Sequence, residues 1–415
     1  MSAESTRRSG AWKWWVCGLL LLASTINYMD RQTLANAAVR ISTQLNLTQT
    51  QYGGLELGFG WAFAAGSVVF GIVADRWSIR WVYPALVTMW SATGFATGLV
   101  QSYEGLAVCR VLLGFFEAGH WPCAVKTTQR LLDPKDRSLG NSVLQSGTSI
   151  GAIITPLAMR MIMTEEIGTW RLAFQVVGLA GMIWVVAWFL MVRSGDLRPI
   201  PPKPGGASIW KVLSSRRMIA LLLVIACINT GWQLLRAWLP KFLQEGRGYS
   251  ETTALYFNSG FFVATDVGCL GAGLLAWWLC RRGLSVHRSR SLVFLVCALL
   301  SALTLVAAFL PQGVALLATL LVVGAGALGV FPIYHALTQD LSADHQGKVS
   351  GAGGVAAFAL SPAHAVFGRM VDNSGSFDLG IALAGCLPLI ACLVLWVMWG
   401  RSSDSASTTV GSAGA

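Results

Sequence analysis

The chain consists of long apolar runs separated by short polar segments. The runs fall at about 14–36, 52–75, 82–101, 105–128, 137–161, 171–193, 217–243, 252–280, 290–310, 313–339, 346–371 and 377–400. A helix needs about 20 apolar residues to cross the hydrocarbon core of a bilayer. Backbone groups in lipid must satisfy their own hydrogen bonds, so runs of this length fold as helices. The pattern predicts an all-α membrane protein of twelve transmembrane helices. Composition agrees, because only 12% of residues are charged, against about 25% in a soluble domain.

The arginines and lysines orient the chain. With the N-terminus inside, twenty of the 30 basic residues fall in inner segments and six in outer ones (Arg40, Arg160, Arg171, Lys241, Arg247, Arg369); Arg31, Arg110, Lys126 and Arg236 lie within spans. Basic residues concentrate on the cytoplasmic side, so both termini are expected there, in a multi-pass protein of the cell inner membrane. The same placement turns the net charge of +11 into a topology signal and argues against a nucleic-acid partner. The first run is too long for a signal-peptide core and has no small-residue cleavage site, so it reads as a retained span. The nine cysteines form no CxxC or Cys/His spacing, which argues against a metal site or a disulfide framework.

Residues 194–216 are basic and rich in proline and glycine. They divide the chain into an N-terminal six-helix bundle (1–193), a cytoplasmic linker (194–216) and a C-terminal six-helix bundle (217–401). A Ser/Gly/Ala-rich tail (402–415) is expected to be disordered. Trp210 to Arg217 suits a short amphipathic helix on the inner leaflet. The halves echo one another. Ile26-Asn27 with Arg31 parallels Ile228-Asn229 with Arg236, and Ser146-Gly147, Gly151 and Pro156 parallel Ser350-Gly351, Gly353, Gly354 and Pro362. Two parallel six-helix pseudo-repeats follow, a plan used by transporters.

Ionisable residues inside a span are costly unless they pair or face a wet cavity. Asn27, Asp30 and Arg31 share one helical face, flanked by Tyr28. The structural alternative puts Asp30 and Arg31 at the outer end of the span, snorkelling to water. Arg110 and Glu117 lie two turns apart, about 10 Å along the axis, and a structural salt bridge is the alternative for Glu117. Burial disfavours a charged carboxylate and a nearby arginine favours it; that competition suits a group that takes and releases a proton. His120 is expected to be a satisfied core histidine. In the second half Trp232, Gln233, Arg236, Asn258 and Asp266 are the candidates, with Tyr334, His335, Ser361 and His364 behind them. Aromatic and amide groups suit a sugar's faces and hydroxyls. No Ser/His/Asp set, HExxH or paired catalytic carboxylates appear, which argues against an enzyme.

The segment Gly71-Ile72-Val73-Ala74-Asp75-Arg76-Trp77-Ser78-Ile79-Arg80 resembles the loop signature of the major facilitator superfamily, with Ser78 where a glycine is usual, and Arg110, Gly114 and Ala118 resemble its span-four motif. The resemblance implies that Gly71, Asp75, Arg76 and Arg80 form a gating motif that latches the cytoplasmic side. Asn27-Tyr28-Met29-Asp30-Arg31, Leu113 to Pro122, Ser146 to Pro156 and Trp170 to Phe174 are similar to the anion:cation symporter branch, and Ala237-Trp238-Leu239-Pro240 and Asp266 to Cys269 most resemble its hexuronate members. The branch implies proton-coupled uptake of a sugar acid or related organic anion by alternating access. It implies Arg31 and Tyr28 as anion contacts and Asp30 and Glu117 as proton-coupling carboxylates. Arg110, Trp232, Gln233, Arg236 and Asn258 complete the expected substrate site. Span two departs from the pattern, because Phe59, Trp61 and Phe63 stand where sugar-acid members carry a polar tyrosine. No cofactor is expected beyond the proton as coupling ion, and the partners are the bilayer and a small organic anion, bound by a monomer. The alternatives are an organic-anion exchanger or efflux carrier and a transport-derived sensor. Span five lacks the Gly-Pro pair of drug antiporters, which argues against efflux.

Overall fold

A computed structural model describes residues 10–132, 136–193, 195–197, 214–341 and 346–399 of the 415. Most of the 194–216 linker, the first half of the amphipathic segment from Trp210, and the 402–415 tail lie outside the described residues. Every regular element among the described residues is helical. The first half runs α1 (Gly10–Leu45), α2 (Gln49–Arg76), α3 (Ile79–Thr97), α4 (Tyr103–Glu117), α5 (His120–Leu131), α6 (Arg137–Ile162) and α7 (Trp170–Met191). The second half runs α8 (Arg216–Lys241), α9 (Glu251–Arg281), α10 (Val286–Ser301), α11 (Thr304–Ala307), α12 (Val314–Gly329), α13 (Phe331–Leu341), α14 (Gln346–Ala359), α15 (Pro362–Ser374) and α16 (Asp378–Met398). Among the described residues, eight helical stretches are long and apolar enough to cross a membrane, by length and composition alone.

Sequence chemistry sets several boundaries. Thr48 opens α2 with a capping box, its hydroxyl accepting from the Gln51 amide while the Gln51 side chain accepts from the Thr48 amide. Ser102, Ser215, Ser250 and Ser285 cap α4, α8, α9 and α10 by the hydroxyl half of that pattern, each accepting from the amide three residues on; each such cap contributes about 1 kcal/mol. The run read as span four is interrupted between α4 and α5. Pro122 has no N–H to offer the Ala118 carbonyl, so the helix breaks one turn before it. Glu117 therefore ends a helix instead of sitting within one.

α1 is longer than its apolar run. It holds 36 residues and continues through polar sequence to Leu45, ending where Asn46 takes a left-handed φ of 50°. Tertiary bonds carry that extension: Arg40 forks onto Glu251 at 2.7 and 2.6 Å and donates to the Glu166 carbonyl. Asp30 and Arg31 consequently lie in the middle of a helix, both buried, and not at its outer end. The snorkelling alternative fails on that count.

Apolar packing divides the molecule by level. One core is common to both halves and joins Leu34, Tyr52, Leu55 and Trp170 to Trp232, Trp238, Phe261 and Phe367. Two further cores are separate. One is built from the first half, with Phe358 its one buried member from the second, and the other belongs to the second half alone. The halves are thus fused at the end holding residues 40–52 and 237–251 and have their own interiors toward the end holding Asp75, Arg80 and Arg281.

Candidate functional site

Three arginines from three helices meet where the common core gives way to the separate ones. Arg31 of α1 donates from Nε to Glu117 Oε2 at 2.7 Å, with both side chains withdrawn from solvent. Its guanidinium lies over the rings of Phe63 (4.6 Å), Phe59 (5.3 Å) and Tyr28 (5.7 Å). Arg110 of α4 lies against the Phe59 ring at 4.4 Å, so Phe59 contacts both cations. Arg110 and Arg236 of α8 share the Glu56 carboxylate: Arg110 Nη2 is 3.3 Å from Oε1 and Arg236 Nη2 is 2.7 Å from Oε2. Arg236 Nη1 also donates to the Arg31 carbonyl at 3.3 Å. Tyr52, Glu56, Phe59 and Phe63 are spaced by four, three and four residues and share one face of α2.

Several polar atoms of this cluster are buried and have no hydrogen-bond partner among the described residues. They are Arg31 Nη2, Arg110 Nε and Nη1, Glu117 Oε1, Asn27 Nδ2 and both oxygens of Asp30. Buried polar groups are ordinarily satisfied, and exceptions gather where a ligand or proton is handled. The spare donors on Arg31 and Arg110 match what a carboxylate or sulfonate accepts. Asp30 lies within electrostatic reach of Glu117, Arg110 and Arg31 but makes no hydrogen bond to any of them. It packs against α3, where a β-carbon on Gly94 would stand 2.8 Å from its Oδ1, so it does not brace Arg31 by a hydrogen bond.

The remaining candidates fall into distinct places. Trp232 is buried among Phe261, Phe262 and Phe331 at 5.9–6.4 Å between ring centres. Gln233 beside it is half-buried. Asn258 donates to the Asn36 side chain at 2.8 Å, and Asn36 donates to the Gln32 carbonyl, an amide ladder that ties α9 to α1. Ser149 donates to Asp266 at 2.9 Å. His120 has both ring nitrogens engaged, by Ser24 at 3.0 Å and Tyr83 at 2.9 Å. Trp238 donates to His364 at 3.2 Å, and Ser361 bonds the Phe358 carbonyl. Tyr334 and His335 pack on each other at 4.1 Å.

The loop motif is held within the first half. Asp75 is ion-paired with Lys126. Arg80 donates to the Val192 carbonyl at 3.0 Å and packs on Trp81 and Phe189. Arg76 ends α2, exposed, and a β-carbon on Gly71 would meet nothing within 4 Å.

The opposite end is bridged between halves. Asp372 accepts from the Gln49 amide (2.9 Å) and from the Thr50 amide (2.8 Å) and hydroxyl (2.5 Å). Lys241 donates to Ser42 at 2.8 Å and pairs with Glu245 at 3.1 Å, and Gln49 reaches Glu245 at 2.7 Å. The Tyr52 hydroxyl donates to the Ala237 carbonyl at 2.8 Å.

The sequence alone singles out neither Glu56 nor Asn36, and it places Lys241 only as an outer-segment basic residue. Glu56 stands near the start of its apolar run, where a carboxylate reads as interfacial. Its registry with Phe59 and Phe63 was the available signal.

The Major Facilitator Superfamily profile matches residues 20–366. A probable sulfoacetate transporter of Cupriavidus necator is 28% identical, covering 90% of each chain. The hexuronate transporter of Escherichia coli K12 is 25% identical over 93% of this chain and 94% of its own, and that of Bacillus subtilis is 27% identical over 91% and 92%. Among solved structures, a bacterial homologue of the human lysosomal transporter Spinster superposes with a TM-score of 0.72 at 18% identity, covering 94% of this chain and 98% of that one. The nucleoside transporter NupG gives 0.73 at 13% identity, covering 93% and 100%. The all-helical architecture, the charge buried within it and the extent of the profile match lead to one conclusion: this chain is a membrane transporter belonging to the major facilitator superfamily, and not an enzyme.

Proposed function

We propose that the protein carries a small organic anion, a sugar acid or a related carboxylate or sulfonate, across the cell membrane by alternating access in symport with protons. The observation that carries this reading is the set of spare, buried donors on Arg31 and Arg110 beside the Glu117 carboxylate. Names of the relatives support the anion: hexuronate and sulfoacetate share an acidic group and little else. Phe59 and Phe63 supply a ring wall in place of hydroxyl partners, so charge does more of the recognition here than hydrogen bonding to a polyol.

The architecture in this reading has twelve spans, α4 with α5 forming one, in bundles 1–193 and 217–401 joined by a cytoplasmic 194–216. The end fused by the common core is then the outer one, and the arrangement described is the state closed to the outside. Separate inner cores and an Asp75 held by Lys126 within its own half suit a released cytoplasmic latch.

Glu117 and Asp30 are the proposed proton carriers. A substrate anion arriving at Arg31 competes with Glu117 for its guanidinium. Glu117 then loses its counter-charge and takes a proton, which brings the loaded site closer to neutral and lowers the cost of closing it away from water. Asp30, buried without a partner, is a second place for a proton.

Thermal stabilisation of the purified protein by galacturonate, galactonate and sulfoacetate tests the substrate class. Any ligand that binds the folded state raises its melting temperature by mass action. A rise with at least one of them is expected; stabilisation by neutral sugars but by none of the anions would overturn the reading.

A further inference from the structure

Glu56 is used by none of the steps above, although it is 2% exposed and sits at the centre of the charge cluster. Its two oxygens are divided between the halves of the molecule, Oε1 to Arg110 of the first and Oε2 to Arg236 of the second. Ionised carboxylates are acceptor-only forks. A transported carboxylate or sulfonate asks the same N–H groups for the same geometry. We propose that Glu56 is the resident anion of this carrier: it occupies Arg236 when no cargo is present and yields that arginine to the cargo's acidic group. The inference rests on the reading of the chain as an anion carrier.

Three observations support exchange over a fixed structural pair. The cluster is underfilled, since Arg110 keeps two unpartnered nitrogens and Arg31 one, so a second anion enters without evicting every existing bond. The Glu56–Arg236 bond crosses between halves at the inner limit of the common core, one turn below the Tyr52–Ala237 bridge and above the Phe63–Phe358 contact (4.5 Å). Halves that move apart on the outer side must break it. Finally, Arg236 also bonds the Arg31 carbonyl, so releasing Arg236 is felt on the helix that carries the anion contact.

An internal competitor lowers apparent affinity by the fraction of sites it occupies. Glu56→Gln keeps the shape and removes the charge. The probes are inorganic sulfate and galacturonate, and the readout is hydrogen exchange of residues 49–60 and 236–246 in the full-length protein. Without added anion, exchange in the variant is expected to be about tenfold faster than in wild type, equivalent to about 1.4 kcal/mol. Sulfate should restore protection in the variant and leave wild type unchanged, and galacturonate should bind the variant about tenfold more tightly. Unchanged exchange overturns the proposal. Faster exchange that no anion restores also overturns it, because a purely structural partner behaves that way. Should the single variant not fold, Glu56→Gln with Arg236→Gln removes both charges together. That protein is expected to fold and to lose its response to both probes, and wild-type affinity in it would overturn the proposal. A wild type blind to galacturonate counts against that substrate alone, since sulfate decides the role of Glu56 separately.

Discussion

The two levels at which the halves meet treat their polar groups in opposite ways. At the fused end, Asp372, Arg40, Lys241 and Glu245 each find partners across the interface. Further along the same helices, Arg31, Arg110, Glu117 and Asp30 keep buried atoms with no partner among the described residues. Satisfied buried networks rigidify a structure, and half-satisfied ones are costly to keep. The contrast separates what holds one state together from what the state is for. In the proposed reading the fused end is the clasp and the cluster below it is the transport site.

Arg31→Lys should break the contrast most severely. Arg31 serves Glu117 with Nε and has Nη2 to spare; a lysine presents one nitrogen and no fork. Loss of a charged hydrogen bond of about 1.5–3 kcal/mol predicts anion affinity falling by about ten- to a hundredfold, read by ligand-induced stabilisation. The melting temperature without ligand should change little. Retained affinity would mean that Arg110 and Arg236 hold the anion without Arg31.

Gly53→Ala probes the clasp. A β-carbon there would sit 2.2 Å from the His364 carbonyl oxygen, backbone that cannot step aside. Overpacking of this kind costs about 1–3 kcal/mol. The variant should bind anion but spend more time open to the outside, seen as faster labelling of an outward-facing cysteine and slower turnover. Wild-type labelling would mean that the α2–α15 contact is not the closure.

Asp372→Asn is the mildest change. It weakens three bonds to the start of α2 and should lower stability by about 1 kcal/mol, the scale of a helix cap. Anion affinity should hold, and its loss would erase the distinction between clasp and site.

The fold was legible because lipid leaves a chain so few options: apolar length and basic loops locate helices and suggest sides without any packing detail. The ionisable residues of α1, α4 and α8 were legible for the same reason, since charge in an apolar run needs a use. Partner choice was not. Arg110 lies two turns from Glu117 on sequence but bonds Glu56, and Asn258 bonds Asn36, because helix rotation and depth across 54 or 222 residues leave no local trace. Glu56 was hidden by position, four residues into its run. The extension of α1 beyond its apolar run was hidden because tertiary bonds at Arg40, not propensity, hold it.

The central claim is that Glu117, held by Arg31, links the proton to the anion. Purified wild type and Glu117→Gln in liposomes should be compared for galacturonate counterflow, which needs no driving force, and for accumulation under an imposed inward proton gradient. The glutamine stands for the protonated carboxyl, so the variant is predicted to exchange galacturonate and fail to concentrate it, while wild type does both. A Glu117→Gln protein that still concentrates galacturonate under the proton gradient would contradict the account.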